Sequence, residues 1–176
     1  MELAVNGKPY QVLRLLGKGK GGYSYLVTDG AGEYVIKQIN HEPCDYYRFG
    51  DKLASELRDY ERLNTIGIPM PELLEVDWEN ERILKEYIRG DTILDCVVRE
   101  EMQQEYVEQM QAMCRTLYAA HTNIDYFPTN FVVQEGRLFY IDYECNDFME
   151  QWSFENWGIR YWSKTEEFLE YLRSHP

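Results

Sequence analysis

The sequence predicts an α+β fold built from two small lobes, and three observations lead to this prediction. Short runs rich in aromatic and β-branched residues lie close together in the first half and are separated by glycine-containing turns. Two longer segments repeat apolar residues at steps of three and four, as amphipathic helices do. The chain has 176 residues, 44% of them hydrophobic, so it can bury a core in one compact domain or two small lobes.

The first half reads as strands around one long helix. Five segments have strand composition: residues 10–16, 23–28, 33–39, 73–78 and 82–88. The first three are joined by turns so short that antiparallel pairing follows. Residues 46–65 are predicted to form a helix that ends before Gly67 and Pro69. This half is therefore expected to be an antiparallel sheet with one long helix.

The second half is predicted to be smaller and mostly helical. Asp91 or Thr92 is expected to cap a short helix that runs to Arg99. The clearest helix carries an apolar stripe made of Met102, Tyr106, Met110, Met113, Leu117 and Ala120. Two short strands follow at 131–134 and 137–141, and the aromatic tail at 148–174 is expected to be helical. The break in pattern at Gly90 predicts a lobe boundary near residue 89, which divides the chain into 1–89 and 90–176.

Charge and cysteine usage narrow the class of protein. The formal net charge of -13 argues against nucleic acid or an anionic membrane surface as the main partner. The four cysteines, Cys44, Cys96, Cys114 and Cys145, lack the spacing of a metal site, and no segment resembles a signal peptide or a membrane span. We expect reduced thiols in a cytoplasmic protein.

The glycines Gly17, Gly19 and Gly22 form a motif that lies between two predicted strands. A Rossmann site places such glycines before a helix, and a P-loop ends in Gly-Lys-Ser/Thr, so neither site is indicated. A hairpin without side chains lets the backbone approach phosphate groups closely. An ordinary glycine-rich hairpin turn is the alternative.

Glu56 lies on the apolar face of the predicted long helix. It shares that face with Phe49, Leu53, Tyr60 and Leu63. A carboxylate buried there costs several kcal/mol unless a cation meets it, and Lys37 in the third strand is a candidate partner. A lysine held in this way could also reach phosphate oxygens. In the alternative, Glu56 lies at the edge of the stripe and extends into water.

Asp125, Asn130 and Asp142 form the third polar group. Asp125 and Asn130 belong to a turn before a strand, and Asp142 ends the next strand. A strand-turn-strand unit would bring Asn130 and Asp142 together as oxygen ligands for Mg²⁺. Asp125 would then orient or deprotonate a hydroxyl acceptor. Local capping of the turn is the alternative for any one of these residues.

The ordered series resembles the protein-kinase-like superfamily over almost the whole chain. Residues 34–37, Tyr-Val-Ile-Lys, are similar to the family's V-A-I-K strand, and Glu56 follows Lys37 at the family's interval of about twenty. Residues 85–90, KEYIRG, look like the hinge. The spacing from Asp125 to Asn130 is similar to that in D-L-K-P-E-N. The long helix resembles RIO-type kinases and those of tRNA-modification complexes, whereas the residues after Asp142 resemble choline kinases and aminoglycoside phosphotransferases.

The resemblance implies a minimal two-lobed kinase that binds ATP and Mg²⁺ in a cleft near residue 89. Backbone groups of Glu86 and Ile88 would meet adenine, and the three glycines would cover the phosphates. Lys37, held by Glu56, would orient the α- and β-phosphates, and Asn130 and Asp142 would hold magnesium. Asp125 would position the hydroxyl of a protein serine or threonine, or of a small metabolite.

Several departures from the family pattern keep a rival open. Asn123-Ile124 replaces the His-Arg that precedes the catalytic aspartate, and Lys85 stands where an apolar gatekeeper is usual. Only 34 residues follow Asp142, too few for a full peptide-binding lobe. The rival is a pseudokinase that acts as a nucleotide-responsive protein-binding module. The tail aromatics, Trp152, Trp157, Tyr161 and Trp162, are expected to close the core, with a cage for a quaternary ammonium as the alternative.

Overall fold

The protein is a mixed α+β protein, as the sequence predicts. The structure is a computed structural model that describes residues 1–19, 21–40 and 51–176. The predictions on Cys44, Phe49 and the helix start at residue 46 lie outside these residues. The chain groups into two compact units. The N-terminal unit comprises Met1–Arg58 and Pro71–Tyr87, and the C-terminal unit comprises Asp59–Met70 and Ile88–Pro176.

The N-terminal unit is built on a six-stranded antiparallel sheet in the order β1-β2-β3-β4-β6-β5. Its strands are β1 Glu2–Val5, β2 Lys8–Gly19, β3 Gly22–Thr28, β4 Glu33–Ile39, β5 Leu73–Asp77 and β6 Arg82–Glu86. The predicted antiparallel arrangement of the first three strands is confirmed, and β1 was not predicted. Helix α1, Asp51–Ile66, enters this unit with its first half.

The two faces of this sheet differ in chemistry because side chains alternate along each strand. One face carries an apolar cluster of Val5, Tyr10, Val27, Ile36 and Leu84. The other face holds the neighbours of Ile36 along β4, Val35 and Lys37, which lie opposite Lys85 and Ile83 of β6. The second face therefore carries the only lysines of these two strands.

The C-terminal unit combines helices with two small sheets, β10-β9-β7 and β11-β8. Its elements are β7 Asp91–Thr92, α2 Ile93–Val98, α3 Gln104–Ala119, β8 Thr122–Ile124, β9 Phe131–Gln134, β10 Arg137–Tyr140, β11 Cys145–Asp147 and α4 Glu166–Ser174. One apolar core includes Leu63, Met110, Phe131 and Phe168. No helix of the described residues is long and apolar enough to cross a membrane.

Local signals identified helices α2 and α3 of this unit well. Thr92 caps α2, since its Oγ1 accepts from the Asp95 N–H at 3.1 Å. Four members of the predicted stripe are buried on α3: Tyr106, Met110, Met113 and Leu117. Met102 and Ala120 lie just outside the helix. The pairing of β9 with β10 is also as predicted.

The prediction of a helical tail was wrong for most of its length. Only α4 is an α-helix there, started by Thr165, whose Oγ1 accepts from the Phe168 N–H at 3.1 Å. Residues before it form two short 3-10 turns, at Glu150–Trp152 and Gly158–Tyr161. A Cβ at Gly158 would lie 2.5 Å from the Cβ of Tyr126, so tertiary packing sets the backbone there.

Candidate functional site

Lys37 and Glu56 form an ion pair in the N-terminal unit. Strand β4 presents the Lys37 ammonium, which contacts Oε1 of Glu56 on α1. The two side chains are 14% and 10% exposed, so both charges are largely withdrawn from water. Leu53, one turn before Glu56, is fully buried. The alternative of a Glu56 carboxylate extended into solvent does not hold.

The second oxygen of Glu56 has an unusual environment. Glu56 Oε2 is buried and has no hydrogen-bond partner among the residues that the structure describes. A buried acceptor without a donor costs about 1–3 kcal/mol, and more when it is charged. Structures keep such an atom where a ligand, a water or a moving side chain meets it. The carboxylate is thus a polar group with unused capacity beside the Lys37 ammonium.

The glycine motif lies at the hairpin that joins β2 and β3, close to Lys37. Gly17 and Gly19 belong to the end of β2, and Gly22 begins β3 opposite Gly19. A Cβ at Gly21 would lie 3.1 Å from Lys37 Nζ, so the hairpin backbone passes directly by the ammonium. The motif is therefore a hairpin, as both of its interpretations require, and this hairpin adjoins the buried ion pair.

Gly22 is the glycine that the backbone itself requires. Its φ is +149°, and a Cβ there would lie 1.9 Å from the carbonyl oxygen of Gln38. Apart from its chain neighbours, no atom of residues 1–19, 21–40 and 51–176 lies within 4 Å of a Cβ built at Gly17 or at Gly19. Packing accounts for Gly22, whereas the described residues leave room for a ligand beside the other two glycines.

Replacing Gly22 by alanine is expected to lower the free energy of unfolding by about 2–4 kcal/mol, because the new Cβ meets backbone and the φ is strained. The matched control Gly17→Ala is expected to stay within about 0.5 kcal/mol of wild type. Urea denaturation followed by circular dichroism measures both. Equal stability of the two variants would contradict this account of the hairpin.

Lys85 is the second lysine on the sheet face that carries Lys37. It is buried, with 6% of its surface exposed, and lies opposite Val35 on β4 and Leu73 on β5. Lys37 lies opposite Ile83, two residues from Lys85 on the same strand, so the two lysines are diagonal neighbours. The Cα atoms of such diagonal neighbours lie about 7–8 Å apart, and their Cβ atoms lie somewhat closer. Two lysine side chains therefore share one face of the sheet, and the ammonium of Lys37 contacts Glu56.

The predicted hinge residues occupy the end of β6 and the segment after it. The Glu86 N–H donates to the Glu72 carbonyl at 2.9 Å, and its Oε1 accepts from the Glu72 N–H at 3.1 Å. Ile88 belongs to the C-terminal unit and is buried. Because the Glu86 N–H is already engaged, any contact from its backbone to a base would use its carbonyl oxygen.

Asp125, Asn130 and Asp142 come together in the C-terminal unit. The Asn130 side-chain amide donates to the Asp125 carbonyl at 3.3 Å, and the Ile141 N–H donates to the Asn130 carbonyl at 2.9 Å. The second bond places Asn130 beside the residue that precedes Asp142. Both aspartates also cap locally: Asp125 accepts from the Phe127 N–H and Asp142 from the Tyr143 N–H. Each aspartate therefore caps its own turn and also belongs to the group of three residues.

The negative charge of Asp142 acts on Asp125. Burial raises the pKa of Asp125 above its usual value of 3.8, and the negative charge of Asp142 raises that pKa further. Hydrogen bonds from the Phe127 N–H and the Asn130 side chain oppose these effects. Two carboxylates that repel each other in a partly desolvated place favour a cation between or beside them.

The oxygen atoms present suit a magnesium ion. Mg²⁺ is usually held by one or two carboxylates together with substrate phosphates and waters. Asp142 supplies a carboxylate, and Asn130, whose amide nitrogen donates to the Asp125 carbonyl, supplies an amide oxygen. Within residues 1–19, 21–40 and 51–176, no group of three or more His, Cys, Asp or Glu could hold a metal ion by itself. The donors fit a metal shared with a ligand.

Tyr140 supports this group, although the sequence pattern does not single it out. Tyr140 is fully buried; its hydroxyl donates to the Glu144 carbonyl at 2.7 Å and accepts from the Asp125 N–H at 3.3 Å. It therefore ties the backbone at Asp125 to the loop that follows Asp142. The alternating run Leu138–Ile141 indicates a half-buried strand, but nothing in it marks the hydroxyl as a bridge.

Asn123, which stands where the kinase-like pattern has a histidine, has a structural role in this chain. It is buried, its side-chain amide donates to the Met149 carbonyl at 3.0 Å, and its Oδ1 accepts from the Tyr126 hydroxyl at 3.1 Å. His121, two positions earlier, is exposed in a left-handed turn with φ of 53°.

Comparison with known proteins leaves the family open. No family model matches the chain. A 73-residue segment is 34% identical to part of the DNA-directed RNA polymerase subunit beta of Borreliella afzelii (strain PKo). This match covers 42% of the chain and only 6% of the polymerase subunit. A similarity to so small a part of a much larger protein shows no family for this chain.

Proposed function

We propose that this chain is a minimal kinase-like enzyme that transfers the γ-phosphoryl group of ATP to a hydroxyl acceptor. The acceptor is a protein serine or threonine, or a small metabolite. One observation carries the proposal: the Lys37–Glu56 ion pair is largely buried and lies directly beside the backbone of the glycine-rich hairpin. A fixed ammonium next to open backbone is what nucleotide phosphates require.

In this proposal Lys37 orients the α- and β-phosphates of the nucleotide. Glu56 holds the ammonium in place, so little side-chain freedom is lost when the nucleotide binds. Gly17, Gly19 and Gly22 bring backbone N–H groups to the phosphates, since no side chains intervene at the first two. The Glu86 carbonyl and the Ile88 backbone would contact the adenine ring.

Asn130 and Asp142 are proposed to hold Mg²⁺ through their side-chain oxygens. A bound Mg²⁺ neutralises charge on the phosphates as the phosphoryl group leaves. Asp125, close enough to Asp142 to feel its charge, would position the acceptor hydroxyl and accept its proton. Catalysis would rest on positioning and charge neutralisation, with no covalent intermediate on the protein.

Two further points belong to the same proposal. We propose a cytoplasmic location, where ATP and Mg²⁺ are supplied and where buried thiols such as Cys114 stay reduced. Nucleic acid is not proposed as a partner, because the net charge of -13 opposes it and the polymerase similarity covers only 6% of that subunit.

A pseudokinase is the second candidate, and Lys85 is the observation that favours it. A buried second lysine on the face of Lys37 adds positive charge and bulk where an adenine ring would enter. Such a chain would bind partners in a nucleotide-responsive way without turnover. The two candidates share the nucleotide site and differ in whether phosphate is transferred.

Mg-ATP is expected to raise the melting temperature, because it binds only the folded state. At a hundred times Kd the expected stabilisation is about 2.7 kcal/mol, or roughly 5–10 °C for a chain of this size. ATP with EDTA is expected to give a much smaller shift, since Asn130 and Asp142 then hold no metal. The absence of both a shift and a calorimetric signal at millimolar Mg-ATP would contradict the nucleotide site.

A further inference from the structure

The C-terminal unit exposes a cluster of large apolar side chains that the proposed function does not use. Phe148, Met149, Trp152 and Ile159 are 38%, 52%, 50% and 41% exposed. We call these four residues the tail patch. Among the described residues they account for four of twelve exposed large hydrophobic residues, and all four fall within twelve consecutive positions. Single exposed apolar residues are normal, whereas a concentrated set indicates an interaction surface.

The tail patch is held in a defined conformation. The Met149 carbonyl accepts from the Asn123 side-chain amide and from the Trp152 N–H, both at 3.0 Å. Trp152 packs edge-on against Trp157, with ring centroids 5.8 Å apart, and Phe148 packs in the same way against Tyr118 at 5.0 Å. The buried Asn123 side chain and two aromatic contacts thus hold Phe148, Met149 and Trp152 in place. A partner would meet a preformed surface and would pay little ordering entropy for it.

Acidic residues are frequent in the sequence around the patch. Between Leu138 and Ile159 the sequence has five acids, Asp142, Glu144, Asp147, Glu150 and Glu155, and no lysine or arginine. Met149 and Glu150 line one surface hollow together with Arg160. The segments that form the C-terminal unit contain 18 acidic and 8 basic residues, a net of -10, whereas those of the N-terminal unit contain 13 and 10, a net of -3. The negative charge of the protein is therefore concentrated in the unit that carries the patch.

We propose that the tail patch docks a protein segment that carries both lysine or arginine residues and large apolar residues, such as a basic amphipathic helix. A central exposed tryptophan is the side chain most often responsible for binding energy at interfaces. The carboxylates near the patch in sequence attract a basic segment. They repel anionic lipid and nucleic acid. They also repel a second copy of this chain, which has the same net charge of -13. The proposal does not depend on nucleotide binding.

Synthetic peptides test the chemistry of the occupant. An 18-residue helical peptide with Leu and Trp on one face and Lys on the other is labelled and titrated with the full chain by fluorescence anisotropy. We expect a Kd on the order of 10 μM, as for a weak specific interface. One control peptide replaces each Lys with Glu, and the other keeps Lys but replaces each Leu and Trp with Ser. Both controls are expected to bind at least tenfold more weakly, and equal binding by either would overturn the proposal.

Matched tryptophan variants locate the site. Trp152→Ser and Met149→Ser are expected to weaken peptide binding at least tenfold. Trp78→Ser removes a tryptophan of equal exposure, 51%, from the N-terminal unit and is expected to leave binding unchanged. Circular dichroism confirms that each variant is folded. Full binding by both Trp152→Ser and Met149→Ser would place the peptide elsewhere. A dimer in sedimentation equilibrium that Trp152→Ser dissociates would identify a second copy as the occupant and overturn the proposal.

Discussion

Replacing Lys37 with methionine is expected to lower phosphoryl transfer by at least two to three orders of magnitude, roughly the loss seen when one electrostatic contact to the reacting group is removed. Methionine keeps most of the aliphatic stem and removes only the charge that orients the phosphates. A coupled ATPase assay and a phosphate-release assay with candidate acceptors measure the change. The thermal shift with Mg-ATP is expected to shrink in parallel, because the same contact contributes to binding.

The same variant has a structural consequence that needs its own control. Without Lys37 the Glu56 carboxylate, 10% exposed, loses its ion-pair partner. Breaking a buried pair costs about 3–5 kcal/mol, and the residual exposure of both groups reduces this to about 1–3 kcal/mol here. The double variant Lys37→Met with Glu56→Gln is expected to recover part of that stability and none of the turnover. Recovery of turnover in the double variant would show that the loss came from misfolding.

Lys85→Met is the matched control for the lysine assignment. It removes a buried ammonium from the same sheet face but leaves the Lys37–Glu56 pair intact. Activity is expected to be retained, and nucleotide is expected to bind more tightly because the adenine side of the face becomes less crowded and less polar. The reverse pattern, an essential Lys85 and a dispensable Lys37, would show that the lysine roles are assigned wrongly.

Replacing Asp125 with alanine is expected to reduce turnover about a hundredfold or more while Mg-ATP affinity stays nearly unchanged, because the acceptor loses its general base. Asp142→Ala is expected instead to lower the affinity for Mg-ATP, because a metal ligand is lost. Isothermal calorimetry and steady-state kinetics separate the two effects. Equal, background-level turnover of wild type and Asp125→Ala across protein and metabolite acceptors would favour the binding module over the enzyme.

The raised pKa of Asp125 adds a pH dependence to this prediction. The carboxylate must be ionised to accept a proton, so turnover is expected to fall as the pH is lowered through a pKa above the usual 3.8. Ionisation of Asp125, which activity requires, has the opposite effect on folding stability and lowers it. Because the folded-state pKa is the higher one, ionisation of Asp125 costs folding free energy at neutral pH. Asp125→Asn, which keeps an acceptor for the Phe127 N–H, is therefore expected to be at least as stable as wild type at pH 7.

Much of the secondary structure could be predicted because the signals are local. The alternation in β3 and β4, the cap at Thr92 and the buried stripe of α3 all arise from residues a few positions apart. The short strands β7, β8 and β11 could not be predicted in this way. Strands of two or three residues carry no usable period, and they exist because a distant partner strand pairs with them.

For the candidate site, too, local spacing indicated the residues, and the packing of distant segments decided their arrangement. The order and spacing of Lys37, Glu56, Asp125, Asn130 and Asp142 along the chain indicated which side chains to consider. Sequence alone left open whether Glu56 is buried or solvated, and whether Asp125 and Asn130 do more than cap a turn. Those choices depend on packing between segments far apart in the chain, such as β4 against α1.

The amino-acid sequence by itself determined the mixed α+β class, most of the strands and helices, and the set of residues able to carry chemistry. Packing between distant segments leaves Glu56 Oε2 buried without a partner among the described residues, makes Gly22 necessary beside the Gln38 carbonyl, and brings Gly158 against Tyr126 in a tail that does not form one helix. The physical reason is the separation along the chain over which each effect acts. Periodicity and capping act within about four residues, whereas burial and steric exclusion depend on which distant segments come into contact.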